Sequence, residues 1–208
     1  MSLRNGPNRL AVYTALAALL TALVIATVVV LTLPRSAGLG GIVSSGEAAI
    51  GGAFTMIDDS GQTVTEKSLL GKPSVMFFGF THCPEVCPAT LYEMSVMLEQ
   101  MGADADRINA IFVSVDPERD TPEAMKEYVR AFDPHIRGLT GSIDETRRMA
   151  KAYRVYFKKV PLQDGDYTVD HTALVYLFDA DGKFVGPLNL KQDPEKAAEP
   201  VRELLQRS

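Results

Sequence analysis

The sequence predicts one α/β domain built on a mixed β-sheet, preceded by a single long apolar helix. Three observations carry this. From residue 51 onward, short apolar runs alternate with helix-like stretches, the pattern of strands and helices taken in turn. Near the end, Ala173–Phe178 is followed by Asp179-Ala180-Asp181-Gly182 and then Phe184-Val185, a strand, a tight turn and a return strand. Residues 10–34 contain no charge, and roughly 20 apolar residues are enough to cross a bilayer.

The elements follow in chain order. Residues 1–9 carry Arg4, Arg9 and the amino terminus, and only Arg35 lies close beyond the apolar run. Positive flanks stay in the cytoplasm, so 1–9 is expected there, 10–33 is expected to be a transmembrane helix, and the rest is expected outside. A cleaved signal peptide is the rival reading, although its apolar region usually runs about 7–15 residues. No cysteine follows the run closely, which argues against a lipoprotein anchor, and the flank is short for an organelle transit peptide. The expectation is a single-pass protein of a bacterial inner membrane with its domain in the periplasm. Residues 34–50, rich in Gly and Ser, read as a flexible linker. The folded domain is placed at 51–208.

Within it, Ala53–Ile57 followed by Asp58-Asp59-Ser60-Gly61 reads as an opening hairpin. Ser74–Phe80 is continuously apolar, as suits a strand covered on both faces. A helix is expected from Pro88 to Met101, then a buried strand, Ala110–Val115. Asp120-Thr121-Pro122-Glu123 is a helix start, with the helix running to about Phe132. Ile136–Leu139 reads as a short strand, and Ser142-Ile143-Asp144-Glu145 is a capping box for a helix to about Tyr153. Tyr156–Asp170 reads as a loop or hairpin, and Asp193-Pro194 opens a last helix, Glu195–Gln206.

The chemistry centres on Phe80-Thr81-His82-Cys83-Pro84-Glu85-Val86-Cys87-Pro88, which holds both cysteines of the chain. They sit where a strand gives way to a helix. Unpaired N–H groups and the helix dipole there favour a thiolate, so an acidified thiol is expected. Residues four apart on a helix share a face, so the pair can close a disulfide or bind one metal ion from the same side. As a permanent staple it would be weak, because a short loop loses little unfolded-state entropy. Of the histidines, His82 adjoins Cys83 but should diverge from it if the strand is still extended there. His135 reads as a surface residue. His171 precedes the strand 173–178, and spacing alone leaves open whether it meets the cysteines or caps and packs. The net charge of −5 and the absence of a basic run argue against a nucleic-acid partner.

Three stretches, in order, resemble the Sco/SenC family of copper chaperones: Thr81–Pro88, Ser114-Val115-Asp116-Pro117-Glu118-Arg119-Asp120-Thr121-Pro122, and Tyr167-Thr168-Val169-Asp170-His171-Thr172-Ala173 continuing to Asp179. The resemblance covers roughly residues 51–205. It implies a thioredoxin-like fold, with His171 facing the thiols near the place where thioredoxins carry a proline. It implies that Cys83, Cys87 and His171 bind one copper ion per domain, Cu(I) or Cu(II), and that Cys83 and Cys87 form a redox-active disulfide. The implied role is a metallochaperone rather than an enzyme, assembling the dinuclear copper centre of cytochrome c oxidase subunit II. A copper donor and a thiol reductant are implied partners. Asp116 and Asp170 are candidates for orienting the ligands, or else they simply form turns. Two other readings stand beside this one: a thiol–disulfide reductase acting on the same target, and a redox or copper sensor.

Overall fold

The computed structural model describes residues 9–32, 50–163 and 165–207. The chain divides into two compact units between residues 46 and 47. The first contains α1, Arg9–Thr32. Two of its threonines are satisfied within the helix: Thr21 Oγ1 donates to the Ala17 and Ala18 carbonyls and Thr27 Oγ1 to that of Leu23. Leu16, Leu19, Leu20, Leu23 and Ile25 are exposed. Among the described residues no helix is long and apolar enough to cross a membrane. The expected N-terminal flank 1–8 and almost all of the expected linker 34–50 lie outside the described residues.

The second unit carries the sheet. Its strands are β1 (Thr55–Asp58), β2 (Thr63–Thr65), β3 (Ser74–Gly79), β4 (Asn109–Ser114), β5 (Ile136–Thr140), β6 (Phe157–Pro161), β7 (Tyr167–His171), β8 (Val175–Phe178) and β9 (Phe184–Leu188). Its helices are α2 (Val86–Met101), α3 (Pro122–Val129), α4 (Ile143–Ala152) and α5 (Pro194–Arg207). Seven strands form one sheet in the order β2-β1-β5-β4-β3-β8-β9, and among the described residues β6 pairs only with β7. β3, β4 and β5 are parallel, while β8 runs antiparallel to β3. This mixed sheet, covered by helices, is the α/β architecture that the alternation of elements predicts.

The centre is dry. Every residue of β3 is buried, as its unbroken apolar run requires, and Phe77 stacks on Phe112 of β4 with ring centroids 6.0 Å apart. The helix starts follow their sequence signals. Thr121 Oγ1 accepts from the Ala124 N–H, and Ser142 and Glu145 close the capping box. Two helix boundaries differ from expectation by more than one residue. α2 begins at Val86, not Pro88, because a proline is tolerated in the first turn of a helix. α3 ends at Val129, short of Phe132, its chain passing through tight turns before Asp133-Pro134.

One topological fact places the site. The parallel strands β3 and β4 finish at the same edge of the sheet, at Gly79 and Ser114, which pair with each other. β8 starts at that edge because it runs the other way, Val175 lying opposite Phe77. The cysteine segment, the loop Val115–Thr121 and the entry to β8 therefore converge there. The C-terminal edge of parallel strands is where open α/β sheets place their ligands.

Candidate metal centre

Cys83 lies in the turn after β3, its N–H donating to the Phe80 carbonyl, and Cys87 lies in the first turn of α2. The Cys87 N–H donates to Cys83 Sγ over 3.4 Å, so the start of the helix solvates the first sulfur. Both cysteines are free and buried. Cys87 has a close fit: a Cβ on Gly79 would stand 2.7 Å from its Sγ and 2.8 Å from the Phe112 ring. Only glycine leaves room for that sulfur beside β3.

His171 ends β7 and points at the same place. Its Nε2 is 3.6 Å from Cys87 Sγ. Its Nδ1 lies 3.1 Å from the Thr172 carbonyl, which can only accept, so Nδ1 carries the proton and Nε2 presents its lone pair. Phe77 and Phe80 meet the imidazole edge to face, with centroids 6.2 and 5.7 Å away. Burial pulls the His171 pKa down, against the Thr172 carbonyl and the Asp170 charge, which keeps the ring neutral. The ligand atoms of Cys83, Cys87 and His171 all lie within 4.8 Å of one another. Such a trio can hold one metal ion.

The expected acidification of the thiols is corrected at Cys87. Burial pushes its thiol up, and neighbouring Cys83 and Asp120 add to this. Desolvation outweighs the helix N-terminus because the sulfur is fully enclosed. A metal must therefore displace a held proton.

The other sequence candidates separate. His82 is exposed and its Nδ1 meets Thr81 Oγ1 at 3.0 Å, away from the trio. His135 lies before β5, at the opposite edge of the sheet. Asp170 is exposed and acts on His171 only through its charge. Asp116 is fully buried, but its carboxylate is bound by Arg119 Nε at 2.5 Å and Tyr167 Oη at 3.0 Å rather than by a member of the trio.

Sequence reasoning missed Asp120, reading it only as part of a helix start. Thr121 is the cap. Asp120 is fully buried and ties the cysteine turn to β4. Thr81 donates to it through Oγ1 at 2.6 Å and N–H at 3.1 Å, and Ser114 through Oγ at 2.6 Å. Burial raises its pKa in spite of these donors. The signal was available: three polar residues in two of the motifs, Thr81 in the first and Ser114 and Asp120 in the second, all at the same edge.

The SCO1/SenC family description matches residues 43–206. The chain is 45% identical over 143 residues to Protein SCO1 homolog 1, mitochondrial, of Arabidopsis thaliana, covering 68% of this chain and 43% of that one. It is 41% identical over 143 residues to Protein SCO1 homolog, mitochondrial, of Homo sapiens, covering 67% and 48%. The chain thus spans about half the length of these relatives. Among solved structures it is similar to Bradyrhizobium japonicum ScoI with copper bound, at 58% identity and TM-score 0.73, covering 75% of this chain and 99% of that one. It is also similar to yeast Sco1 with copper bound, at 37% identity and TM-score 0.70, covering 77% and 90%. A third, BsSco, at 26% identity and TM-score 0.59 over 74% and 91%, is described as having a disulfide switch and as a member of the Sco family of cytochrome c oxidase assembly proteins.

Proposed function

The chain belongs to the SCO1/SenC family, and from that premise we propose that it is a membrane-anchored copper metallochaperone. It takes one copper ion as cargo through Cys83, Cys87 and His171 and delivers it toward the dinuclear centre of cytochrome c oxidase subunit II. The observation that carries this is the convergence of two sulfurs and one imidazole nitrogen within 4.8 Å, in a chain whose relatives are described with copper bound.

The donor set fits the cargo. Thiolates are soft and select Cu(I), while imidazole suits either copper state. Structural zinc sites close with four protein ligands, and this group has three. An incomplete shell suits an ion that has to be handed on. The chain's own part is to keep Nε2 of His171 free by tying up Nδ1, to yield the thiol protons to the incoming ion, and to hold the two sulfurs on one face of a turn.

The same thiols support redox control. Joining Cys83 and Cys87 by a disulfide releases two protons and two electrons to an acceptor and removes both soft ligands; a thiol reductant restores them. The disulfide switch described for BsSco favours this accessory role. The thiol–disulfide reductase reading needs only Cys83 and Cys87 and leaves His171, 3.6 Å from Cys87 Sγ, without a role, so the metal reading is favoured as the main activity.

For the anchor, the uncharged run 10–33 after Arg4 and Arg9 supports a single inner-membrane span with residues 1–9 in the cytoplasm and 51–208 in the periplasm. The functional test is copper titration of the full-length chain, reduced and oxidised. The reduced protein should take one copper per chain with sulfur-to-copper charge-transfer bands, and the oxidised protein should take none tightly. Equal binding by both forms would show that the thiols are not the ligands.

A further inference from the structure

Resting on that reading of the site, we propose that Tyr167 is a positioning residue for His171: it latches the β6–β7 hairpin to the loop between β4 and α3, and so fixes where the imidazole stands. The hairpin forms a two-stranded sheet of its own, apart from the seven-stranded one. A two-stranded hairpin is marginally stable by itself in water, so its order must come from docking. Strand periodicity puts Tyr167, Val169 and His171 of β7 on one face, and Val169 is buried there while its neighbour Asp170 is exposed. Four residues of strand span about 13 Å. Tyr167 thus anchors the far end of the lever whose near end is His171.

The anchor is built from several elements. Tyr167 Oη donates to Asp116 Oδ1 at 3.0 Å. Two cations lie over the same phenol ring, Arg119 Cζ at 3.8 Å and Lys159 Nζ at 4.2 Å from its centroid. Arg119 also donates to the Tyr167 carbonyl at 3.1 Å, and its Nε is bound by Asp116. Lys159, on the partner strand β6, reaches Glu118 of the loop at 2.7 Å. Asp116 is fully buried. A buried carboxylate that loses one of its donors is left partly unpaired, which is costly, so the tyrosine hydroxyl matters more than a surface hydrogen bond would. None of Asp116, Arg119, Lys159 and Tyr167 belongs to the ligand group. Their effect on the metal runs through the hairpin.

The test uses the full-length reduced chain as wild type, Tyr167→Phe, His171→Ala and the double variant. Tyr167→Phe keeps the ring under the two cations and removes only the hydroxyl. Cu(II) affinity should fall about tenfold, the low end for groups that orient a metal ligand, with an altered electron paramagnetic resonance spectrum. Cu(I) affinity, carried mainly by the thiolates, should change less. In the His171→Ala background the same substitution should cost nothing further. In metal-free protein, amide hydrogen exchange should quicken across β6 and β7 but not in β4. The proposal is overturned if Tyr167→Phe leaves both the Cu(II) spectrum and the hairpin exchange unchanged, or if its Cu(II) penalty persists in full without His171. Should His171→Ala bind Cu(II) as wild type does while Tyr167→Phe still loosens the hairpin, the reading of the site falls and the latch stands.

Discussion

At the C-terminal edge of β3 and β4, His171 stands half-buried between Phe77 and Phe80 with a thiol 3.6 Å from Nε2. At the opposite edge, just before β5, His135 has Asp133 at 2.7 Å from Nδ1 and Asp106 at 3.2 Å from Nε2. The two rings have the same chemistry and opposite fates. Burial lowers the pKa of His171 and keeps one nitrogen bare, whereas hydrogen bonding to Asp133, against a smaller desolvation, raises that of His135 and occupies both nitrogens. A ligand histidine needs one nitrogen tied to something that only fixes its tautomer, and the other left open toward soft donors. A carboxylate on each nitrogen favours instead the protonated ring and ties it to the loops around it. The difference lies in the partners that each sheet edge supplies.

The most severe way to break the comparison is to remove a soft donor. Cys83→Ser or Cys87→Ser should abolish stable binding of either copper state, since a hydroxyl is a poor soft ligand, as read by copper content after gel filtration. His135→Ala, measured alongside, should retain full copper. If a serine variant keeps its copper, the C-terminal edge is not the metal edge.

Removing the imidazole should divide the two copper states. Two thiolates can still hold Cu(I), so His171→Ala should keep Cu(I) in weakened form by competition with a chromophoric chelator. Cu(II) prefers nitrogen and oxygen donors in tetragonal sites, so its paramagnetic spectrum should be lost or strongly altered. An unchanged Cu(II) spectrum would demote His171 to the structural kind of histidine that His135 represents, with His82 next to be tested.

Gly79→Ala probes the seat of Cys87 without replacing a ligand. The new methyl would stand 2.7 Å from Cys87 Sγ and 2.8 Å from Phe112, both fully buried, so one of them must move. Overpacking of this kind costs about 1–3 kcal/mol, measurable by denaturant unfolding of the metal-free chain, and copper affinity should drop with the displaced sulfur. A neutral substitution would mean that the fit around the sulfur is looser than these distances require.

Much of this was legible in the sequence, and the gaps have physical reasons. β3 showed as an apolar run because both of its faces are covered. The capping box at Ser142 showed because it uses side chains three residues apart. The terminal hairpin showed through its turn residues. These are local signals. The acidity expected for Cys87 failed because a helix terminus is visible in sequence and desolvation is not. Asp120 and Tyr167 were missed because their partners, Thr81 and Asp116, are 39 and 51 residues away. Spacing alone left His171 undecided, because only the antiparallel course of β8 brings its approach to the edge where β3 ends.

The smallest effect should come from His135. Its pKa is raised above the ordinary 6.5, chiefly by the Asp133 hydrogen bond. The folded state therefore holds the proton more tightly than the unfolded chain does. Stability from this pair is fully present below pH 6.5, where both states are protonated and only the folded one has the carboxylates in place. It is lost as pH rises through the higher folded-state value, when the ring becomes neutral. His135→Gln keeps hydrogen bonding but cannot charge. Its deficit against wild type should be about 0.2–1 kcal/mol at pH 5.5, the range of exposed ion pairs, and should shrink toward zero by about pH 8.5. Paired urea unfolding of the metal-free proteins at the two pH values reads this directly. A deficit that grows with pH would mean that His135 works in the fold as a neutral ring, and the contrast with His171 would then rest on geometry alone.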